Sequence, residues 1–319
     1  MLPTVLDVYE ARRRLAPHLP PTPLRPSPWV SSKVRGAVFL KIEAVNPTHS
    51  FKIRGALNAA LKLESGRLLV TASAGNHGRA LALVAEQRGM SCVVFTPANA
   101  PETKKRAIRR HGAVLHADAE DYDTAERRAR EFAAAEGGVY ISPYNHPDVI
   151  AGAGTIGLEI AEALPSFDVI VVPLGGGGLA SGVGLAVKAV APRAIVVGVE
   201  VEASSPFTRG FEAGCITTIR PGPSIADGLT GNLEPGSTTF PLVKQVVDVI
   251  VTVSEDDVTR AMRGLATEEH LIVEGAGAVA TAAVIAGKAA VPGQRVVVLV
   301  TGSNVDLPTW WAAVGAGPA

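Results

Sequence analysis

The sequence predicts an α/β fold made of two open, mostly parallel, twisted sheets with helices on both faces. Short runs rich in Val, Ile and Leu recur along the chain, and several are apolar without alternation, as in strands buried on both faces. Helical stretches rich in Ala and charge, such as residues 101–112 and 123–138, separate these runs. The chain has 319 residues, which is long enough for two lobes with a cleft between them.

Nine strands are predicted from the apolar runs. In chain order they cover residues 37–43, 67–73, 91–97, 113–118, 138–143, 168–175, 194–200, 248–254 and 294–302. This number is large for one sheet, and the elements between residues 67 and 147 follow one another through short connections. We therefore predict a small domain over residues 68–147 and a large domain over residues 1–67 and 148–319.

Composition and charge exclude several classes of protein. Lysine and arginine number 30, and aspartate and glutamate also number 30, so the net charge gives no indication of nucleic acid or a membrane surface as partner. Cys92 and Cys215 are too few for a disulfide framework and are expected to be core thiols. The sequence shows no spanning apolar run, and residues 1–19 lack a signal-peptide core. We expect a cytoplasmic protein.

The turn after the predicted strand 168–175 carries four consecutive glycines, Gly175, Gly176, Gly177 and Gly178. Ligands of open α/β sheets bind beyond the carboxyl ends of strands. Glycines allow successive N–H groups to point into one concavity, and the apolar helix that follows adds its positive end. The turn thus predicts a phosphate cradle, although a tight turn without ligand remains open. It lacks the Lys-Ser/Thr ending of a triphosphate-binding loop.

A second turn, "SAGNHG" (73–78), follows the predicted strand 67–73. It offers Ser73, Asn76, His77 and the N–H groups of a helix N-terminus, which together could hold a carboxylate. The alternative is a plain capping turn that uses the serine or asparagine side chain.

Lys52 stands between two apolar residues in "HSFKIRGA" (49–56). Burial lowers the pKa of a lysine, and a neutral amine is what Schiff-base formation with an aldehyde requires. A phosphate cradle combined with such a lysine indicates pyridoxal phosphate. A solvated helical lysine is the alternative.

Six stretches taken together resemble the fold-type II pyridoxal-phosphate enzymes, whose fold is similar to that of the tryptophan synthase β chain, and specifically the serine/threonine dehydratase branch. In the family's order they are "SFKIRGA" (50–56), "SAGNHGRA" (73–80), "VIAGAGTIGLEI" (149–160), "GGGGL" (175–179), "VEGAGA" (273–278) and "TGSNVD" (301–306). The resemblance extends from residue 22 to residue 306. It implies that the large domain binds the cofactor, that the small domain is mobile, and that the protein is a homodimer or homotetramer.

The resemblance also implies roles for individual residues. Lys52 corresponds to the Schiff-base lysine and takes the Cα proton of the substrate. The implied cofactor-binding residues are Phe51, Lys52, Asn76, Gly175, Gly176, Gly177, Gly178, Leu179, Glu274 and Thr301. The implied substrate-carboxylate residues are Ser73, Ala74, Gly75, Asn76 and His77. Glu274 could equally be a plain helix N-terminal acid. The Thr301 hydroxyl, facing the ring nitrogen, favours elimination.

The activity implied is α,β-elimination of an L-β-hydroxy amino acid of the threonine/serine class to a 2-oxo acid and ammonia. Ala153 stands where the family usually has glutamine, and Ser303 where it has glycine. A pocket for a larger substrate, such as a hydroxyectoine-pathway intermediate or phenylserine, is therefore one alternative. Racemisation is another, although Ala74 replaces the serine of the family's racemases and cannot move a proton.

Two further possibilities concern ligands. A non-catalytic phosphate-binding protein is the alternative from a different functional class. Some relatives bind a divalent metal through residues that correspond to Glu200, Ser204 and Pro206. Because a carboxylate is missing from this set, no metal is expected.

Overall fold

Two sheets organise the chain in the computed structural model, which describes residues 2–73, 75–290 and 292–315. The described residues form ten strands: β1 Leu24–Pro26, β2 Ala37–Ile42, β3 Leu69–Ala72, β4 Cys92–Pro97, β5 Val114–Ala119, β6 Val139–Tyr140, β7 Val169–Pro173, β8 Ile195–Val201, β9 Val249–Val253 and β10 Arg295–Val300. All nine predicted strands are present. The strand β1 was not predicted.

The helices among the described residues are α1 Val5–Leu15, α2 Pro28–Val34, α3 Lys52–Leu61, α4 Asn76–Arg88, α5 Glu102–Arg109, α6 Tyr122–Ala135, α7 Pro147–Ala163, α8 Gly178–Val190, α9 Pro206–Ala213, α10 Thr239–Val246, α11 Glu255–Thr267, α12 Gly275–Ile285 and α13 Leu307–Gly315. Short 3-10 helices cover Glu43–Val45 and Asp227–Leu229. Within the described residues, no helix is both long and apolar enough to cross a bilayer.

The larger sheet has six strands in the order β1-β2-β10-β7-β8-β9. All neighbours in it pair in parallel except β1, which is antiparallel to β2. The smaller sheet has four parallel strands in the order β5-β4-β3-β6 and is built from residues 69–140 alone. This α/β architecture of mostly parallel sheets is the predicted fold class. The exact domain boundaries remain a prediction.

The central strand β10 shows why the apolar runs do not alternate. Val296, Val298 and Val300 face one core cluster, which also contains residues of α12. Val297 and Leu299 face a second cluster on the opposite side of the sheet, formed with residues of α7 and α8. Because helices cover both faces, both sets of side chains are removed from water.

The two cysteines differ from the expectation. Cys92 is buried as predicted, and burial raises the pKa of its thiol to about 12. Cys215 is exposed, so the prediction that both are core thiols was wrong for this residue. It follows Gly214, the left-handed residue that ends α9, and the chain there enters a loop instead of another buried element.

Candidate active site

A cavity of about 220 Å³ lies where the two sheets meet, at the carboxyl ends of β3 and β7. Both predicted turns, residues 73–78 and 175–178, contribute to its wall. The far side is closed by residues 227–233 of the long loop between α9 and α10. Turns that follow the carboxyl ends of parallel strands are expected at one ligand site, which we call the strand-end rule. The two turns follow this rule, since they meet at one cavity although they lie far apart in the sequence.

Lys52 is the first residue of α3, and its side chain lines the cavity. Its Nζ donates a hydrogen bond to the Pro143 carbonyl at 2.7 Å and lies 5.1 Å from the centre of the Phe51 ring. Burial lowers the pKa of Lys52 to about 8, while the nearby carboxyl of Glu274 acts in the opposite direction. Near physiological pH a much larger fraction of this amine is neutral than of an ordinary lysine, although the charged form still predominates, and the neutral form is the one that acts as a nucleophile.

The four glycines connect β7 to α8. Gly175, Gly176 and Gly178 line the cavity, whereas Gly177 is not among its lining residues. Gly177 has a φ of +84°, and a Cβ there would lie 2.6 Å from Phe207 Cζ. A Cβ on Gly176 would lie 2.3 Å from Tyr144 Cγ. Both positions therefore require glycine. Gly178 and Leu179, the first residues of α8, also line the cavity, and the N–H groups of a helix's first turn have no intrahelical partner.

The turn before α4 brings three of the predicted carboxylate-binding residues to the cavity, namely Ser73, Gly75 and His77. Ser73 Oγ accepts a hydrogen bond from the Gly75 N–H at 3.2 Å. Burial lowers the pKa of His77 to about 3, with a smaller effect from the Lys52 charge, so its imidazole is neutral. Ala74 lies outside the described residues.

Asn76 also lines the cavity, and its amide group is held from two sides. Its Nδ2 donates to Glu274 Oε1 at 2.6 Å, and its Oδ1 accepts from Asn304 Nδ2 at 2.6 Å. These bonds join the start of α4, which belongs with the small sheet, to Glu274 and Asn304, which lie beside the large sheet. The side chain is consequently fixed in orientation before any ligand binds.

Glu274 immediately precedes α12, but its carboxyl makes no capping bond to that helix. Instead it points into the cavity, where burial raises its pKa to about 7. Thr301, at the end of β10, lines the same cavity, and its Oγ1 donates to the Ala276 carbonyl at 3.4 Å. Glu274 thus stands at the N-terminus of α12, as the plain interpretation expects, and it also lines the cavity.

One predicted pocket residue lies elsewhere. Ala153 is buried in the middle of α7, in the apolar cluster behind β7 and β10, and it is not among the residues that line the cavity. The structure thus does not place Ala153, assigned to the pocket from its motif, at the cavity.

Sequence reasoning missed several lining residues. Tyr144 follows the predicted strand 138–143, so the strand-end rule would have found it. Its hydroxyl accepts a hydrogen bond from the Glu234 N–H at 3.0 Å. Asp227 lies in the long loop between α9 and α10, and long loops in compact domains are often functional. Lys104, on α5, carries no local signal.

Glu200, which the resemblance relates to a metal site, contacts the start of a helix in this chain. Both carboxylate oxygens of Glu200 accept hydrogen bonds at the start of α9, from the N–H groups of Phe207 at 2.8 Å and Thr208 at 2.9 Å. The Thr208 hydroxyl adds a third bond at 2.6 Å. Glu200 therefore acts as a cap of this helix.

A buried ionic cluster supports the helix that carries Lys52. Arg54 is 1% exposed and donates to Glu43 Oε2 at 2.7 Å and to Glu159 Oε1 at 2.6 Å. Lys41 donates to the other oxygen of Glu159 at 2.6 Å. The cluster joins β2, α3 and α7, and it fixes the first turn of α3 against the large sheet.

Comparison with known proteins decides the family. The model of the pyridoxal-phosphate-dependent enzymes matches residues 15–302. The chain belongs to this family. It is 39% identical over 307 residues to the L-threonine ammonia-lyase of Thermotoga maritima, covering 95% of this chain and 76% of that protein. It is 38% identical over 314 residues to the catabolic L-threonine dehydratase TdcB of Escherichia coli K12, covering 96% and 94%.

A solved structure agrees with this assignment. The threonine deaminase of T.th. superposes with a TM-score of 0.88 at 37% identity, covering 96% of this chain and 99% of the other. As a member of this family the chain is a pyridoxal-phosphate-dependent enzyme. The cavity fits the cofactor because it combines a lysine of lowered pKa, a glycine turn that leads into a helix N-terminus, and a neutral hydroxyl at Thr301.

Proposed function

We propose that the protein is an ammonia-lyase that converts L-threonine or L-serine to the corresponding 2-oxo acid and ammonia by α,β-elimination. The observation that carries this proposal is the position of Lys52, whose amine has a pKa of about 8 and lines a cavity that is also lined by the glycine turn before α8. The names of the relatives support the choice of threonine among β-hydroxy amino acids.

Lys52 has two tasks in this proposal. When bound, pyridoxal phosphate supplies an aldehyde for the amine and an electron-withdrawing ring that makes the Cα proton of the substrate acidic. The released amine of Lys52 accepts that proton, which its lowered pKa allows at neutral pH. The bond from Lys52 Nζ to the Pro143 carbonyl orients the amine toward the cavity.

The turn before α4 orients the substrate. Its N–H groups, at the positive end of the helix, are suited to the α-carboxylate. His77 is neutral and buried, so it offers no positive charge to the α-carboxylate. The carboxylate would therefore be held mainly by backbone donors and by the Ser73 hydroxyl.

The overall reaction removes the Cα hydrogen and the β-hydroxyl as water, and water then replaces the amino group to give the 2-oxo acid and ammonia. Thr301 offers a hydroxyl rather than a carboxylate at the end of β10. A neutral partner leaves the ring nitrogen of the cofactor largely unprotonated, which suits elimination more than reactions that need a long-lived carbanion.

The test is the release of 2-oxo acid from L-threonine and L-serine by the purified holoenzyme. Lys52→Ala is expected to abolish turnover. Lys62→Ala is the matched control, since Lys62 lies at the end of the same helix and pairs with Asp148 at the surface. Wild-type turnover by Lys52→Ala, or activity on neither amino acid, would refute the proposal. A panel of larger β-hydroxy amino acids, including phenylserine, decides the substrate range.

We also propose that the protein is a homodimer or homotetramer. Two large apolar side chains are exposed on α13, Leu307 at 67% and Trp311 at 66%. Contiguous apolar patches mark association sites, so we take this helix as the candidate surface. Light scattering after size-exclusion chromatography gives the mass, and a monomer of about 33 kDa at micromolar concentration would contradict the proposal.

A further inference from the structure

Two charged residues face each other inside the candidate active site. Lys104 comes from α5, beside the four-stranded sheet, and Asp227 comes from the 3-10 helix in the long loop of the large sheet. Both line the cavity, and the Lys104 ammonium is in direct contact with the Asp227 carboxylate. The lysine side chain is 17% exposed and the aspartate side chain 51% exposed. The pair bridges the two sides of the cleft.

The position of Lys104 relates it to substrate binding. A Cβ on Gly75 would lie 3.5 Å from Lys104 Cδ and 3.7 Å from its Nζ. The amine is therefore next to the turn that, under the proposed function, holds the α-carboxylate. Among the described residues that line the cavity, Lys52 and Lys104 carry the amines, and the third basic residue, His77, is kept neutral by burial.

The ion pair leaves the site without a free cation for a second carboxylate. Lys52 is needed for the cofactor and the Cα proton, and Lys104 is neutralised by Asp227. A substrate with an uncharged β-substituent, such as threonine, needs no further cation. A substrate with a β-carboxylate would have to place a charge in the cavity beside Asp227, which is costly without a partner.

We propose that Asp227 determines the charge of the β-substituent that the site accepts, because it engages Lys104 and thereby excludes β-hydroxy amino acids that carry a second carboxylate. This inference rests on the proposed function and adds a specificity-determining residue to it. Removing the Asp227 charge frees Lys104, and the freed ammonium becomes the partner of the second carboxylate.

The test compares L-threonine with L-3-hydroxyaspartate, which has a carboxylate where threonine has a methyl group. The holoenzymes are the wild type, Asp227→Asn, and Asp227→Asn combined with Lys104→Met. We expect the ratio of kcat/KM for hydroxyaspartate over threonine to rise about tenfold in Asp227→Asn, the size of one charge-assisted hydrogen bond. The gain should vanish in the double variant. Asp256→Asn, on the exposed face of α11, is the control and should keep the wild-type ratio.

A binding measurement provides a readout that does not depend on turnover. Succinate and butyrate have the same carbon number, but only succinate carries a second carboxylate. Calorimetric titration of the holoenzymes should show that Asp227→Asn increases the affinity for succinate relative to butyrate, and that the double variant does not.

Three outcomes overturn the inference. One is an unchanged substrate ratio together with an unchanged succinate preference in Asp227→Asn. Another is an equal change for both substrates, which would mean that Lys104 serves the α-carboxylate. A wild-type enzyme that already prefers hydroxyaspartate over threonine is the third. Failure of the proposed function is distinguishable, since the wild type would then release 2-oxo acid from neither L-threonine nor L-serine.

Discussion

Replacing Arg54 by methionine tests how the helix that carries Lys52 is held in place. The substitution keeps much of the side-chain volume and removes the charge, which leaves Glu43 and Glu159 without their shared cation. Lys41 still contacts Glu159, whereas Glu43 keeps only neutral donors, Thr22 and Asn46. Breaking one side of a buried ion pair typically costs about 3–5 kcal/mol of folding stability.

The size of this effect should depend on pH in a defined direction. Burial acts to raise the pKa of Glu159, but the hydrogen bonds and charges of Arg54 and Lys41 outweigh it, and the net pKa is lowered. A folded-state pKa below the unfolded one stabilises the protein above the unfolded pKa, and this stabilisation is lost as the pH falls through the folded pKa. The difference between wild type and Arg54→Met should therefore be largest near neutral pH and shrink in acid.

Urea denaturation followed by circular dichroism, at pH 7 and again in acid, measures these differences. Arg127→Met is the matched control, because Arg127 pairs with Glu131 on the surface with both side chains more than 60% exposed. Its loss should change the free energy of unfolding by less than about 0.5 kcal/mol. If Arg54→Met costs no more than Arg127→Met, or if its effect grows in acid, the reasoning about the buried cluster is wrong.

Three other changes have defined outcomes. The neutral amine of Lys52 reacts with the aldehyde, and its pKa is about 8. The rate at which apoenzyme takes up pyridoxal phosphate, measured by stopped-flow absorbance, should therefore rise with pH and level off above pH 8. A rate that does not change from pH 6 to 9 would contradict this. Gly177→Ala should lower the free energy of unfolding in urea by about 1–3 kcal/mol and weaken cofactor binding, because the residue has a positive φ and the added methyl group would contact Phe207. Unchanged cofactor affinity in a titration of apoenzyme would show that the turn is not part of the phosphate site. Ala74→Ser should add D-amino acid to the products, as seen by chiral chromatography, because it introduces a hydroxyl that can move a proton where the wild type has a methyl group. Rapid formation of D-amino acid by the wild type would instead favour a racemase.

The sequence predicts those parts of the fold that depend on local pattern. Apolar runs, several of them without alternation, identified nine strands, because strands covered on both faces carry apolar side chains at successive positions. β1 has only three residues, one of them a proline, and it lies at the antiparallel edge of the sheet, so it carries no such pattern.

The candidate site shows the same division between local and long-range information. The glycine turn and the turn at residues 73–78 follow strands directly, and the strand-end rule brings them to one cavity. The pairing of Lys104 with Asp227 joins residues 123 positions apart. Lys104 has no local signal of function, and Asp227 has only the length of its loop. Ala153 was assigned to the pocket from a family motif, but the inward orientation of that part of α7 places it in the core.

The central claim is that Lys52 holds the cofactor, and one measurement tests it directly. The purified holoenzyme is reduced with borohydride, digested with protease and analysed by mass spectrometry, while loss of the visible cofactor band and of activity is followed in parallel. The reduced pyridoxyl group is expected on the peptide that contains Lys52. A label on Lys41 or Lys104 instead, or a wild-type protein that retains no cofactor, would contradict it.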